Sequence, residues 1–135
     1  MFSEGLSEIV LQVQDLPQAA RFYRQVVGLV PVHEPANGWA WFWTGSPGAS
    51  PRLALRCGSL LFEEQSPHPP DRRWGCVHYA FHVPRDNLEA AVAHLHRAGV
   101  EVLGPVRLEW MNATAHYFYD PDGNLLDFWS PDPES

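Results

Sequence analysis

The sequence predicts an α+β fold made of two βαβββ modules, and three observations carry that prediction. An alternating strand at Ser7–Val13 leads into a helical apolar stripe that stops at Gly28. The same order recurs at Val77–Val83, followed by a stripe that stops at Gly99. Each half then continues as short strands between glycine, proline and serine turns, and the second ends in a β-hairpin. Neither half closes its own sheet, so the two are expected to pair around a shared cleft. The expected layout is one domain over 1–135, with module 1 at about 5–65, a linker at about 66–75 and module 2 at about 76–131.

Each element has a local reason. In the first strand Ile9, Leu11 and Val13 face one way, and Glu8, Val10 and Gln12 the other. Asp15 and Pro17 start a helix whose stripe is Ala19, Phe22, Tyr23, Val26 and Val27. Strands follow at about Val30–His33, Trp39–Thr44 and Arg52–Glu64. The stretch 65–74 holds three prolines and no periodicity, and Pro67–Arg73 is expected to be its most mobile part. In the second half Asp86 with Glu89 resembles a capping box, and Leu88, Ala91, Val92, Leu95 and Ala98 form the stripe. The final hairpin turns at Asp120-Pro121-Asp122-Gly123, where proline presets φ, aspartates bond back to the backbone and glycine takes positive φ.

Bulk composition removes several function classes. The net charge of −7 argues against nucleic acid or an anionic membrane surface as partner. All nine basic residues are arginines, which excludes Schiff-base chemistry and a lysine phosphate clamp. Cys57 and Cys76 form no CxxC and read as reduced thiols. MFSEGLSE lacks a basic segment followed by an apolar one, and no apolar run approaches the roughly 20 residues of a membrane span. A cytoplasmic location is expected.

Polar residues in apolar surroundings mark the candidate site. Asp127 lies in the last strand between Leu126 and Phe128, and a buried unpaired carboxylate costs several kcal/mol. It must meet a cation, a polar cleft or solvent. Laying Ser7–Val13 on Val77–Val83 puts Glu8 on His78 and Gln12 on His82, all four on the face away from the helices. Trp39, Trp41 and Trp43 alternate along one strand and form either an aromatic cleft wall or part of the core.

These residues resemble the vicinal oxygen chelate superfamily, which includes glyoxalase I, extradiol dioxygenases, fosfomycin-resistance and bleomycin-resistance proteins. The likeness rests on Val13-Gln14-Asp15-Leu16, Phe22-Tyr23 and Gly28-Leu29, on His78-Tyr79-Ala80-Phe81, and on Tyr117–Trp129 with its DPDGNLLDFW. It spans nearly the whole chain and implies two paired βαβββ modules forming a curved mixed sheet around a cleft. Carried over by position, it implies Glu8, His78 and Asp127 as ligands of a divalent ion, Mn²⁺, Fe²⁺, Ni²⁺ or Zn²⁺. The family more often has His or Gln at the first position and Glu at the last. A fourth carboxylate, from the first module's last strand, would come from Glu63 or Glu64, with Glu63 preferred.

The resemblance implies lyase or isomerase chemistry in the glyoxalase style, with Glu8 or Glu63 as the proton-transferring base. Gln12, Trp39, Trp41, His82 and Tyr117 would meet a small-molecule substrate. Tyr117 matches a substrate-touching tyrosine of the fosfomycin-resistance branch, but the lysine of that branch is absent, which disfavours that activity. Glu8 breaks the two-histidine, one-carboxylate iron pattern of extradiol cleavage. The alternative is a metal-free protein of bleomycin-resistance type that sequesters an aromatic ligand. A homodimer is expected on either reading, because family members pair and the Trp-rich strands leave apolar area to cover.

Overall fold

A computed structural model describes residues 2, 4–58 and 78–133, and the chain divides into two compact units, Met1–Gly75 and Cys76–Ser135. Glu63, Glu64, Cys76 and the expected linker lie outside the described residues. The first unit runs β1 (Glu8–Gln12), α1 (Leu16–Arg21), a π-helical continuation (Phe22–Val27), β2 (Val30–Pro31), β3 (Trp39–Trp43) and β4 (Arg52–Arg56). The second runs β5 (His78–His82), α2 (Arg85–Arg97), β6 (Leu103–Leu108), a 3₁₀ turn (Glu109–Met111), β7 (Ala113–Tyr119) and β8 (Leu125–Pro131).

The two units repeat one topology. In the first, the sheet order is β1-β4-β3-β2, and β1 is parallel to β4 while the other pairs are antiparallel. In the second, the order is β5-β8-β7-β6, again with only the first pair parallel. The helix lets the chain cross from the first strand to a parallel neighbour, and shorter connections join the antiparallel strands. Two βαβββ units of an α+β fold are therefore present.

Burial follows the alternation. Leu11, Ala40, Phe42, Leu53 and Leu55 fill the helix-facing side of the first sheet, where Tyr23 is fully buried with its ring 6.4 Å from Phe42. Asp15 caps α1 by accepting from the Gln18 amide at 3.0 Å, and Gly28 ends the helical segment at φ 88°. Asn37 and Gly38, both at positive φ, make the two-residue turn into β3, with Ala36 and Trp39 exchanging backbone hydrogen bonds. In the second unit Leu88 and Leu95 of α2 and Phe118, Leu126 and Phe128 of β7 and β8 are buried.

Three boundaries differ from the sequence expectation. β2 stops at Pro31 rather than His33, although the Val32 amide still donates to Trp41. β4 stops at Arg56, because Gly58 leaves extended geometry at φ 122°. α2 starts at Arg85 after Pro84 with no side-chain cap, so Asp86 and Glu89 form no capping box, and Ala98 is exposed beyond the helix.

The hairpin turn is built as its residue types imply. One oxygen of buried Asp120 accepts from the amides of Asp122 and Asn124, and the other from the Asn124 side chain at 2.8 Å. Gly123 sits at φ 83°. Asp120→Ala strands two backbone donors and a buried amide, so a loss of about 2–4 kcal/mol is expected. A urea midpoint that does not move would contradict this.

Candidate functional site

Strand register decides which side chains share the open face of each sheet. In the second unit His78, Ala80 and His82 of β5 lie on the same face as Leu125, Asp127 and Trp129 of β8, since Ala80 pairs with Asp127. Tyr117 of β7 pairs with Asp127 from the other side. The helix packs on the opposite face, against the Leu126 and Phe128 side of β8.

The sharpest feature of this face is a pair. His78 Nε2 lies 2.8 Å from Asp127 Oδ2, and the Tyr117 ring stands 5.9 Å from the imidazole. Asp127 is only 3% exposed, whereas the His78 side chain is half open to solvent. The second carboxylate oxygen, Oδ1, is buried without a protein partner. Burying a carboxylate with one oxygen unanswered is costly, so the site is under-compensated for charge.

The 2.8 Å separation is that of a direct hydrogen bond between imidazole and carboxylate, and it is the unpartnered buried Oδ1 beside an exposed imidazole that gives this pair donor types a divalent ion could use. Among the described residues no three His, Cys, Asp or Glu side chains gather into a group that could hold a metal ion.

The first unit carries the same positions with other chemistry. Glu8 and Gln12 share the open face with Arg52, Ala54 and Arg56 of β4 and with Trp39, Trp41 and Trp43 of β3. By register Glu8 corresponds to His78, Ala54 to Asp127 and Trp41 to Tyr117. The tryptophans therefore face away from the helix. Glu8 Oε1 accepts from the Trp41 indole at 3.1 Å and lies 3.6 Å from an Arg52 nitrogen. Both contacts fall on Oε1. The Gln12 side-chain amide donates to the Gly58 carbonyl at 3.0 Å.

Trp39 and Trp41 stack with centroids 5.1 Å apart and planes within 3°. The Arg56 guanidinium caps Trp39 at 5.2 Å, and His33 lies 5.1 Å from Trp41 at the other end. Sequence reasoning missed Arg56 and His33; the signal for Arg56 was its alternation with Ala54 and Arg52 in β4. In the second unit His82 lies 5.6 Å from Trp129, whose buried indole nitrogen has no protein partner.

The family model of the glyoxalase/bleomycin resistance protein/dioxygenase superfamily matches residues 5–128. The chain belongs to that superfamily. Among solved structures, an integron cassette protein from the mobile metagenome of V. cholerae is 29% identical with a TM-score of 0.74, and the match covers 98% of each chain. A lactoylglutathione lyase from Agrobacterium tumefaciens is 20% identical with a TM-score of 0.74, covering 96% of each. The antibiotic-binding protein TnmS3 from Streptomyces sp. CB03234 is 24% identical with a TM-score of 0.72, covering 98% of this chain and 99% of that one. The last two likenesses show the shared glyoxalase fold. No curated protein matches the sequence. Among the described residues of this superfamily member, no helix is long and apolar enough to cross a membrane.

Proposed function

We propose that the protein is a divalent-metal-dependent lyase or isomerase acting on a small molecule. The observation that carries this reading is the His78–Asp127 pair, an imidazole beside a buried carboxylate whose Oδ1 has no protein partner. Glu8, His78 and Asp127 would hold it. Ala54 occupies the first-unit position equivalent to Asp127 and offers no donor there. The bound ion would supply Lewis acidity to adjacent oxygens of the substrate.

The chain's own groups do the remaining work. Glu8 keeps Oε1 oriented by the Trp41 indole and Arg52, which leaves Oε2 to bind or to take a proton from carbon. Tyr117, beside the His78 ring, presents a hydroxyl that can orient a substrate oxygen. The Trp39–Trp41 stack supplies a flat apolar wall. Glu63 remains the second candidate base, and the site belongs to a homodimer on this reading.

The stack favours a second reading, metal-free sequestration of an aromatic ligand. Two parallel indoles capped by Arg56 form a preorganised face that needs no metal. Elemental analysis of protein purified without chelator tests the first reading, which expects one divalent ion per chain. Metal-free protein whose tryptophan fluorescence is quenched saturably by flat aromatic compounds would replace it with the second.

A further inference from the structure

On the other face of the second sheet, beneath α2, lies a cleft of about 560 Å³. Its walls are Leu88 and Val92 of α2, Pro105 of β6, Thr114 and His116 of β7, and Arg85 at the helix start. This face should be dry, because Phe118, Leu126 and Phe128 continue it as core. Instead it holds three buried polar atoms with no protein partner: Arg85 Nε, His116 Nδ1 and Ser130 Oγ. His116 is 8% exposed and Ser130 fully buried. Thr114 and Ser130 are register partners and His116 pairs with Phe128, so these side chains share one patch of the sheet.

The arrangement is built rather than accidental. Arg85 Nη2 donates to Asp132 Oδ1 at 3.0 Å and to the Ser130 carbonyl at 3.3 Å, which fixes the guanidinium while its Nε stays free. Asp132 is shared with Arg107, whose two terminal nitrogens grip it at 2.6 and 2.8 Å. One carboxylate thus serves two arginines, and Arg107 is paired with Glu109 as well at 3.3 Å, so Asp132 is divided between them. Burial first, and then the charges of His96 and Arg85, hold the His116 imidazole below its usual range, so it is neutral and able to donate or accept. The cleft therefore combines a fixed donor at Arg85, the neutral imidazole of His116 and the Thr114 hydroxyl with the aliphatic walls of Leu88, Val92 and Pro105.

We propose that this cleft is a second binding site, separate from the open face, for a small aliphatic monocarboxylate. Its carboxylate accepts from Arg85 Nε–H and from His116, and its hydrocarbon tail lies along Leu88, Val92 and Pro105. Glu89 also lines the cleft, and its carboxylate disfavours phosphate and dicarboxylates, whose further negative charge it opposes. The site does not depend on a metal or on the function of the open face.

Titration of the full chain with hexanoate, followed by nitrogen and methyl NMR, tests this. Saturable shifts centred on Arg85 Nε–H, the His116 ring and the Leu88 and Val92 methyls are expected. Hexan-1-ol lacks the charge and phosphate lacks the tail, so each should bind at least about tenfold more weakly. Arg85→Gln should weaken hexanoate by a similar factor. Should that variant fold poorly, Val92→Trp, on the half-exposed side of the helix, fills the cleft and should abolish the shifts. Three results would each overturn the proposal: no saturation within the solubility of hexanoate, as expected if waters alone serve these atoms; equal binding of hexanol or phosphate; or undiminished binding in Val92→Trp.

Discussion

Asp127→Asn is expected to lower the affinity for Mn²⁺, Ni²⁺ and Zn²⁺ by about 100-fold or more while the protein stays folded. Losing even a residue that only orients a ligand costs roughly 10–100-fold, and Asp127 is proposed as a ligand itself. The substitution keeps the shape and removes the charge. The apo protein should be unharmed or slightly stabilised, because the carboxylate is 3% exposed and only one of its oxygens has a partner. Calorimetric titration of metal-stripped wild type and variant decides the matter. Equal affinities for all three ions would end the metal reading and leave the aromatic-ligand reading standing.

Phe118→Ala should produce the largest loss of stability in the second unit, about 3–5 kcal/mol. Phe118 is fully buried and meets Phe128 edge to face at a centroid distance of 5.0 Å. Deleting the ring opens a cavity that two hydrogen-bonded strands cannot collapse around. A domain's net stability is about 5–15 kcal/mol, so a large share of the folded population is at stake. Its neighbour Tyr119, 55% exposed, provides the control, and its alanine variant should cost at most about 0.5 kcal/mol. Denaturant curves in which the two variants behave alike would show that the core is not organised on this ring.

Both expectations rest on face assignment, and faces were what the sequence stated best. Alternation put Glu8 and Gln12 opposite Leu11, and His78 and His82 opposite Tyr79 and Phe81, as the two sheets have them. The residues of the hairpin turn also acted as their types imply. These features are local, set by the two-residue period of a strand and by which residues tolerate a given φ.

What required tertiary structure was every relation between distant segments. Trp39, Trp41 and Trp43 read equally well as core or cleft wall until the pairing of Trp41 with Ala54 put them on the open face. The start of α2 shifted to Arg85, whose guanidinium is tied to Asp132 and Ser130 rather than to the helix end. The cleft beneath α2 was not legible, because only the pairing of β7 with β8 puts the buried His116 and Ser130 on one face with Thr114. The sequence by itself determined the two βαβββ units, the turn chemistry and the identity of Asp127 as an acid in an apolar strand. Only the fold decided that its carboxylate meets His78. That contact joins residues 49 positions apart, through a parallel register that local propensity does not encode.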